Sequence, residues 1–133
     1  MSGETDLKKL IGLMQPVLCE QEYVFSSLDK ENSVSLAQLE PVGTFYEKEG
    51  LTVIVLKTNA DALGIIYQGV FRCITLNVHS SLEAVGLTAA VSSALANQGI
   101  SANVVAAYYH DHIFVPMTHA NQALSCLQKL ARV

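Results

Sequence analysis

Residues 71–130 read FRCITLNVHSSLEAVGLTAAVSSALANQGISANVVAAYYHDHIFVPMTHANQALSCLQKL. Apolar residues recur in this stretch first at the two-residue period of a strand, then at helical spacing, then again at strand spacing. Glycine and short polar runs separate these segments, as turn residues do between elements. The pattern predicts the order strand, helix, strand, tight hairpin, strand, helix.

The predicted elements of this second half can be placed on the chain. In order they are a strand Phe71–Val78, a helix Ser80–Gln98, a strand Ile100–Tyr109, a tight turn at His110-Asp111, a strand His112–Pro116 and a helix beginning at Thr118 or His119. Ser80 with Glu83 three positions later forms a capping box, a sequence signature of a helix start. The order β-α-β-β-α is ferredoxin-like but lacks one strand, and its open edge needs cover. We expect the N-terminal half to supply that strand.

The first half carries apolar segments of similar size. The predicted elements are a helix Asp6–Met14 capped by Thr5, a strand Val17–Leu28, a helical turn Leu36–Glu40, a hairpin of Val42–Tyr46 with Leu51–Leu56, and a short helix capped by Thr58 or Asn59 and ended by Gly64. The similar layout predicts two related units, 1–68 and 69–133, although no repeated motif is visible. The fold class is therefore α+β, with antiparallel sheets and helices on one face.

Composition excludes several classes of function. The chain has 133 residues, half of them apolar, a net charge of −4 and only eight Lys and Arg. A nucleic-acid binder or a polybasic membrane binder needs a basic face, which these scattered residues do not supply. No apolar run approaches the roughly 18–20 residues that span a bilayer. The first residues lack the basic and apolar regions of a signal peptide, so we expect a cytoplasmic protein.

The three cysteines do not suggest a scaffold. Cys19, Cys73 and Cys126 are odd in number and far apart in sequence, which argues against a disulfide framework and against a zinc site. Cys73 lies in an apolar strand and Cys126 in an apolar helix. Both are interpreted as buried, inert thiols.

Several segments resemble the ACT domain, a small βαββαβ ligand-sensing module. The second half carries the resemblance at Ile74–Val78, at His79–Ala89 and at Gly99–Val105. The whole chain is similar to a bacterial family of small stand-alone proteins that have two ACT-like units and no assigned function. The sequence motifs that recur in this family are present at Tyr23–Phe25, Glu49–Thr52, Leu82–Ala89 and Tyr109–Pro116.

The resemblance implies tandem ferredoxin-like units that bind a small molecule and regulate a partner. ACT domains generally bind amino acids, between two units, at the loop after the first strand and the start of the first helix. It also implies edge-to-edge pairing of sheets, hence a homodimer, and association with a partner enzyme. No cofactor is expected. Many ACT loops carry Asp or Asn and a Gly, whereas the glycine nearest to this loop is Gly86, well inside the predicted helix.

The predicted site gathers polar residues at one sheet edge. The fold should bring His79, Ser80 and Ser81 near His110–His112, with His119 at the opposite end. The predicted ligand-binding residues are Asn77, His79, Ser80, Ser81, Val85, Gly86, Asn103, Asp111 and His112. Backbone N–H groups and the helix dipole would hold a carboxylate there, and Asp111 or a carbonyl would take an ammonium.

Two other interpretations of these residues stay open. His79, His110 and His112 could form a metal site with Asp111, since residues two apart on a strand face the same way. Alternatively, the residues are a turn and its supports, because Asp is a common turn residue and His often bonds backbone groups. Catalysis is not expected, since the chain has neither a Gly-x-Ser-x-Gly elbow nor a glycine-rich phosphate loop. A protein–protein assembly module without a ligand is the alternative function.

Overall fold

The structure is a computed structural model that describes residues 6–79 and 85–132. Its described residues form two compact units. The inserted unit is residues 21–71, and the discontinuous unit combines the chain before it with the chain after it, up to residue 20 and from residue 72 onward. The long strand β1, Pro16–Leu28, contributes its first residues to the discontinuous unit and the rest to the inserted unit.

The discontinuous unit has the ferredoxin-like strand order. Besides the start of β1, its elements are α1 Leu7–Leu13, β4 Phe71–Leu76, α4 Leu87–Asn97, β5 Asn103–Ala106, β6 Asp111–Pro116, a 3₁₀ turn Met117–His119 and α5 Ala120–Arg132. The strands lie in the order β1-β4-β6-β5. Beside β4 lies β1, so the prediction that the N-terminal half supplies the missing strand is confirmed.

The core of this unit lies between its sheet and its helices. Alternate residues of β4 and β6, such as Ile74, Leu76 and Ile113, are buried against apolar side chains of α1, α4 and α5. Leu95 of α4 and Leu127 of α5 are completely buried there. The buried side chains at every second position of the strands therefore pack against those on one face of each helix, and together they form one apolar layer.

The inserted unit is smaller. Its elements are the second part of β1, α2 Leu36–Leu39, β2 Gly43–Tyr46, β3 Leu51–Leu56 and α3 Lys57–Ala62. The strand order is β2-β3-β1, with antiparallel pairs that include Phe25 opposite Ile54 and Phe45 opposite Thr52. The predicted hairpin and the helical turn at residue 36 are confirmed, and Gly64 follows α3 with a left-handed φ of +70°.

The start of α4 differs from the sequence prediction. Helix α4 begins at Leu87, after Gly86 with φ +105°, so Val85 and Gly86 are not helical. A left-handed residue cannot continue a right-handed helix, so α4 starts later than the Ser80 start that the capping-box signature predicts. The predicted capping box of Ser80 and Glu83 lies outside the described residues.

The hairpin turn also differs. Ala106 pairs with Asp111, and Ala107 N–H donates to the His110 carbonyl at 3.0 Å. The turn is therefore residues 107–110 rather than His110-Asp111, and Asp111 begins β6. Tyr108 and Tyr109, whose type favours strands, lie instead at the exposed tip because backbone pairing ends before them.

Two of the predicted helix caps differ from the observed ones. Asp6, not Thr5, caps α1, with its Oδ1 accepting from Lys9 N–H at 3.2 Å; Thr5 lies outside the described residues. Leu56 precedes α3 without a side-chain cap, and Asn59 inside the helix donates to the Leu39 carbonyl at 3.1 Å. No helix within residues 6–79 and 85–132 is long and apolar enough to cross a membrane.

Candidate functional site

The end of β4 and the β5–β6 turn lie together, as predicted. The rings of His79 and Tyr109 have centroids 5.3 Å apart. His110 Nδ1 lies 3.3 Å from the Val78 carbonyl, and because a carbonyl only accepts, this nitrogen donates. Ser80 and Ser81 of the predicted site lie outside the described residues.

His112 is held inside the sheet rather than at the turn. Its Nδ1 forms a hydrogen bond of 2.9 Å with Thr75 Oγ1 on β4. Partial burial lowers the pKa of His112, and the charge of nearby His110 lowers it further. A ring that is bonded on one side and hard to protonate can accept or donate one hydrogen bond at neutral pH, but it is a poor permanent cation.

Asp111 is half-buried at the start of β6. Burial raises the pKa of its carboxyl, while the neighbouring His112 and His110 act in the opposite direction. A partly desolvated carboxylate is stabilised by a nearby positive charge, because an opposite charge offsets the cost of desolvation.

The structure does not bring every predicted residue to this edge. Asn103 pairs with Phe114 at the far end of the hairpin, about 10 Å along the strand from Ala106, and its Nδ2 donates to the Phe114 carbonyl at 3.2 Å. Asn77 is exposed, and its backbone N–H donates to the Gln15 carbonyl at 3.4 Å.

Val85 and Gly86 lie just before α4. The Val85 side chain is exposed, and a Cβ at Gly86 would come within 3.0 Å of Leu7. This close approach, with the positive φ, explains the glycine structurally. Their role in binding stays a prediction.

The metal interpretation gains no support from side-chain geometry. In the part of the chain that the structure describes, no three His, Cys, Asp or Glu side chains converge as metal ligands would. His110 lies in the turn and His112 in the strand, so the two-residue alternation on which the shared site depended does not hold. Their Nδ1 atoms are engaged with Val78 and Thr75.

A cavity that the sequence reasoning missed lies in the inserted unit. It has a volume of about 610 Å³, within the usual range for small-molecule sites. The end of β1 and the polar loop after it form one wall, and residues 64–68, after α3, form the other. Its lining combines Phe25 and Ile65 with the polar side chains of Ser27, Asp29 and Asn32. We call this cavity the β1-end pocket.

Two side-chain turns shape the loop of the β1-end pocket. Asp29 Oδ1 accepts from Glu31 N–H at 3.1 Å, and Asn32 Oδ1 accepts from Val34 N–H at 2.8 Å. Ser35 then caps α2 through Gln38 N–H at 3.4 Å. These bonds fix the loop and engage the Oδ1 atom of each side chain, whereas Asp29 Oδ2 and Asn32 Nδ2 take no part in them.

The opposite wall is held by an exposed hydrogen-bonded group. Asp61 accepts from Tyr67 Oη at 2.7 Å and from Lys57 Nζ at 2.9 Å. The bonds from Tyr67 and Lys57 lower the pKa of Asp61, and the bond to Asp61 raises the pKa of Tyr67. Ser26 Oγ donates to the Ile66 carbonyl at 2.6 Å, which ties this wall to β1.

One feature of the sequence could have indicated the β1-end pocket. Asp29 and Asn32 directly follow the first strand of the N-terminal unit, which is the position where the resemblance implies Asp or Asn. The predicted ligand-binding residues, in contrast, all lie in the second half of the chain. Sequence does not show that residues 64–68 close the other side.

Comparisons with known proteins agree with this architecture. Residues 2–72 and residues 69–129 each match a family profile described as the ACT domain. No curated protein matches the sequence. A Vibrio cholerae protein of unknown function, described as a possible transport protein, is 47% identical, with TM-score 0.84 over 94% of this chain and 95% of that one.

More distant solved structures show the fold alone. An Agrobacterium tumefaciens protein is 17% identical, with TM-score 0.71 over 87% of each chain. The ligand-free regulatory subunit of aspartate kinase from Thermus thermophilus is 9% identical, with TM-score 0.60 over 90% of this chain and 98% of that one.

Proposed function

The chain belongs to the ACT-domain family, and we propose that it is a bacterial, cytoplasmic regulatory protein that binds an amino acid and acts by associating with a partner. ACT domains are regulatory rather than catalytic, so we propose no enzymatic activity. The observation that carries the proposal is the β1-end pocket, because it lies at the loop after the first strand, where this family holds its ligands.

The chemistry of the pocket suits an α-amino acid. The Asp29 carboxylate would receive the ammonium group, and the Asn32 amide and Ser27 hydroxyl would donate to the carboxylate. Phe25 and Ile65 would contact an apolar side chain. The volume accommodates a single amino acid with its surrounding water.

The corresponding loop of the second half is a second site of the same kind. There we propose His79, Ser80, Ser81, Asp111 and His112 around the ligand, with Val85 and Gly86 at the entrance to α4. The partly desolvated Asp111 supports an ammonium at this site. Asn77 directly follows β4 beside this loop, whereas Asn103 bonds the Phe114 carbonyl at the far end of the hairpin and is left out of this site.

A thermal-denaturation scan against the twenty amino acids tests the proposal. One amino acid present at 100 times its dissociation constant should stabilise the protein by about 2.7 kcal/mol, a rise of roughly 8–12 °C in Tm. Asp29→Asn should abolish most of that rise, since it removes the charge opposite the ammonium. Glu31→Gln is the matched control, because it removes an acidic charge two residues away that does not line the pocket.

The outcomes separate the alternatives. A responding amino acid whose effect survives Asp29→Asn but not Asp111→Asn would move the site to the second half. A protein that responds to no amino acid and self-associates would favour the assembly module. A response to divalent metals alone would favour the histidine cluster and contradict the proposal.

A further inference from the structure

Two cysteines that are distant in sequence meet in the discontinuous unit. Cys19 lies on β1 and Cys73 on β4, which are hydrogen-bonded neighbours in the sheet. The side chain of Arg72 donates from Nε to the Cys19 carbonyl at 2.8 Å, which fixes the two backbones beside each other. The Cys19 side chain lies close enough to Cys73 to help raise the pKa of the Cys73 thiol.

We propose that Cys19 and Cys73 form an oxidation site that closes to an intramolecular disulfide when the protein meets a peroxide. Disulfides require Cα atoms about 4.4–6.8 Å apart, a range that neighbouring residues on adjacent strands can satisfy. Both cysteines are reduced in the structure. The proposal does not depend on ligand binding.

The two thiols differ in access, which assigns their order of reaction. Cys19 is partly exposed, whereas Cys73 is only 5% exposed. Burial raises the pKa of the Cys73 thiol to about 11, and the neighbouring Cys19 contributes to the rise. Peroxide therefore reaches Cys19 first, and Cys73 acts as the resolving thiol.

The chemistry balances in two steps. The sulfur of Cys19 attacks one peroxide oxygen, the O–O bond breaks, and water leaves with the thiol proton, so that Cys19 becomes a sulfenic acid. The sulfur of Cys73 then loses its proton and attacks the Cys19 sulfur. The S–S bond forms, the S–O bond breaks, and the released hydroxide takes that proton to give a second water. Two thiols lose two electrons, and one peroxide becomes two waters.

Cys126 provides an internal control. It lies on α5 and donates from Sγ to the Ala94 carbonyl at 3.4 Å, so its partner is backbone rather than another thiol. Oxidation should therefore spare Cys126 or leave it as a single oxidised thiol.

The test is peptide mapping of the full chain after treatment with stoichiometric hydrogen peroxide. The proposal expects a peptide pair joined through Cys19 and Cys73 that dithiothreitol separates, with alkylation of both falling at least about tenfold relative to Cys126. Cys73→Ser should leave a Cys19 sulfenic acid that dimedone traps, and Cys126→Ser should behave as the wild type.

Other results overturn the proposal. Cys19 and Cys73 that both stay open to alkylation after oxidation would show that they do not pair. A disulfide to Cys126 or to a second chain would show that other sulfurs meet more readily. Mapping of the wild-type chain decides the question even if a serine variant fails to fold.

Discussion

The two units differ most in how much apolar side chain they bury. Among the described residues, fourteen buried side chains form the core of the discontinuous unit and seven form that of the inserted unit. Helices of 7, 11 and 13 residues cover the first, whereas α2 and α3 have 4 and 6 residues. The unit with the larger core should carry most of the stability, and the thinner unit should respond more readily to ligands.

The inserted unit also leaves large apolar side chains exposed. Phe45 and Tyr46 on β2 are 72% and 81% exposed, and Ile66 beside the β1-end pocket is 87% exposed. β2 ends the strand order of this unit, so one of its edges has no neighbouring strand in the described chain. An exposed aromatic edge strand is suited to pairing with a second chain, which favours the homodimer that the resemblance implies.

The largest expected effect tests the contrast between the cores. Leu127→Ala in α5 should lower the free energy of unfolding by about 3–5 kcal/mol, because long helices on both sides cannot close the cavity. Leu39→Ala in α2 should cost less, about 2–3 kcal/mol, because a four-residue helix can shift into the space. Both side chains are completely buried, so a difference in solvent exposure cannot explain a difference in stability between the two variants.

Urea denaturation followed by circular dichroism measures both variants. Leu13→Ala is the control, since this side chain is 56% exposed and its removal should change stability by less than about 0.5 kcal/mol. If Leu39→Ala costs as much as Leu127→Ala, the inserted unit is as tightly packed as the discontinuous one.

A smaller effect is expected at the exposed edge. Phe45→Glu should weaken self-association by about tenfold or more, since a charge replaces an aromatic anchor in a desolvated interface. Sedimentation velocity would show a shift toward the 14.3 kDa monomer. Tyr108→Glu is the matched control, because Tyr108 is also exposed and aromatic but lies at the hairpin tip of the other unit. Equal weakening by both variants would move the interface away from β2.

The smallest effect is a pH response confined to the discontinuous unit, which contains all four histidines. The folded pKa of His112 lies below its ordinary value of 6.5, because of burial and then His110. The unfolded chain therefore binds a proton at His112 more readily than the folded chain does. The folding stability that is present above pH 6.5 is lost as the pH falls through the folded pKa of His112. The pKa of Asp111 is raised in the folded protein, so protonation of Asp111 at lower pH favours the folded state and opposes this loss.

His112→Gln should reduce the loss of stability between neutral pH and values just below 6.5. Urea denaturation at several pH values measures it, with His119→Gln at the other end of β6 as the comparison. A wild-type slope in His112→Gln would assign the response to another group.

The site near β4 could be anticipated in part from the sequence, whereas the β1-end pocket could not, because residues 64–68 form one of its walls. The polar residues after β4 were expected to meet the β5–β6 turn, and His79 does lie against Tyr109. The exact turn was not expected, since pairing of Ala106 with Asp111 decides where the hairpin closes. Backbone register of this kind depends on contacts between strands and leaves little trace in local residue type.

The sequence by itself determined the class of the fold, the order of its strands and helices, and most of the buried faces, because apolar periodicity is a local property of the chain. Only the tertiary structure decided that the strands of Cys19 and Cys73 are neighbours, that the Asn103 side chain bonds a backbone carbonyl, and that residues 64–68 form a wall of the pocket that Asp29 lines. Each of these depends on segments far apart in sequence that the sheet and the loops bring together, and such distances are set by packing rather than by neighbours along the chain.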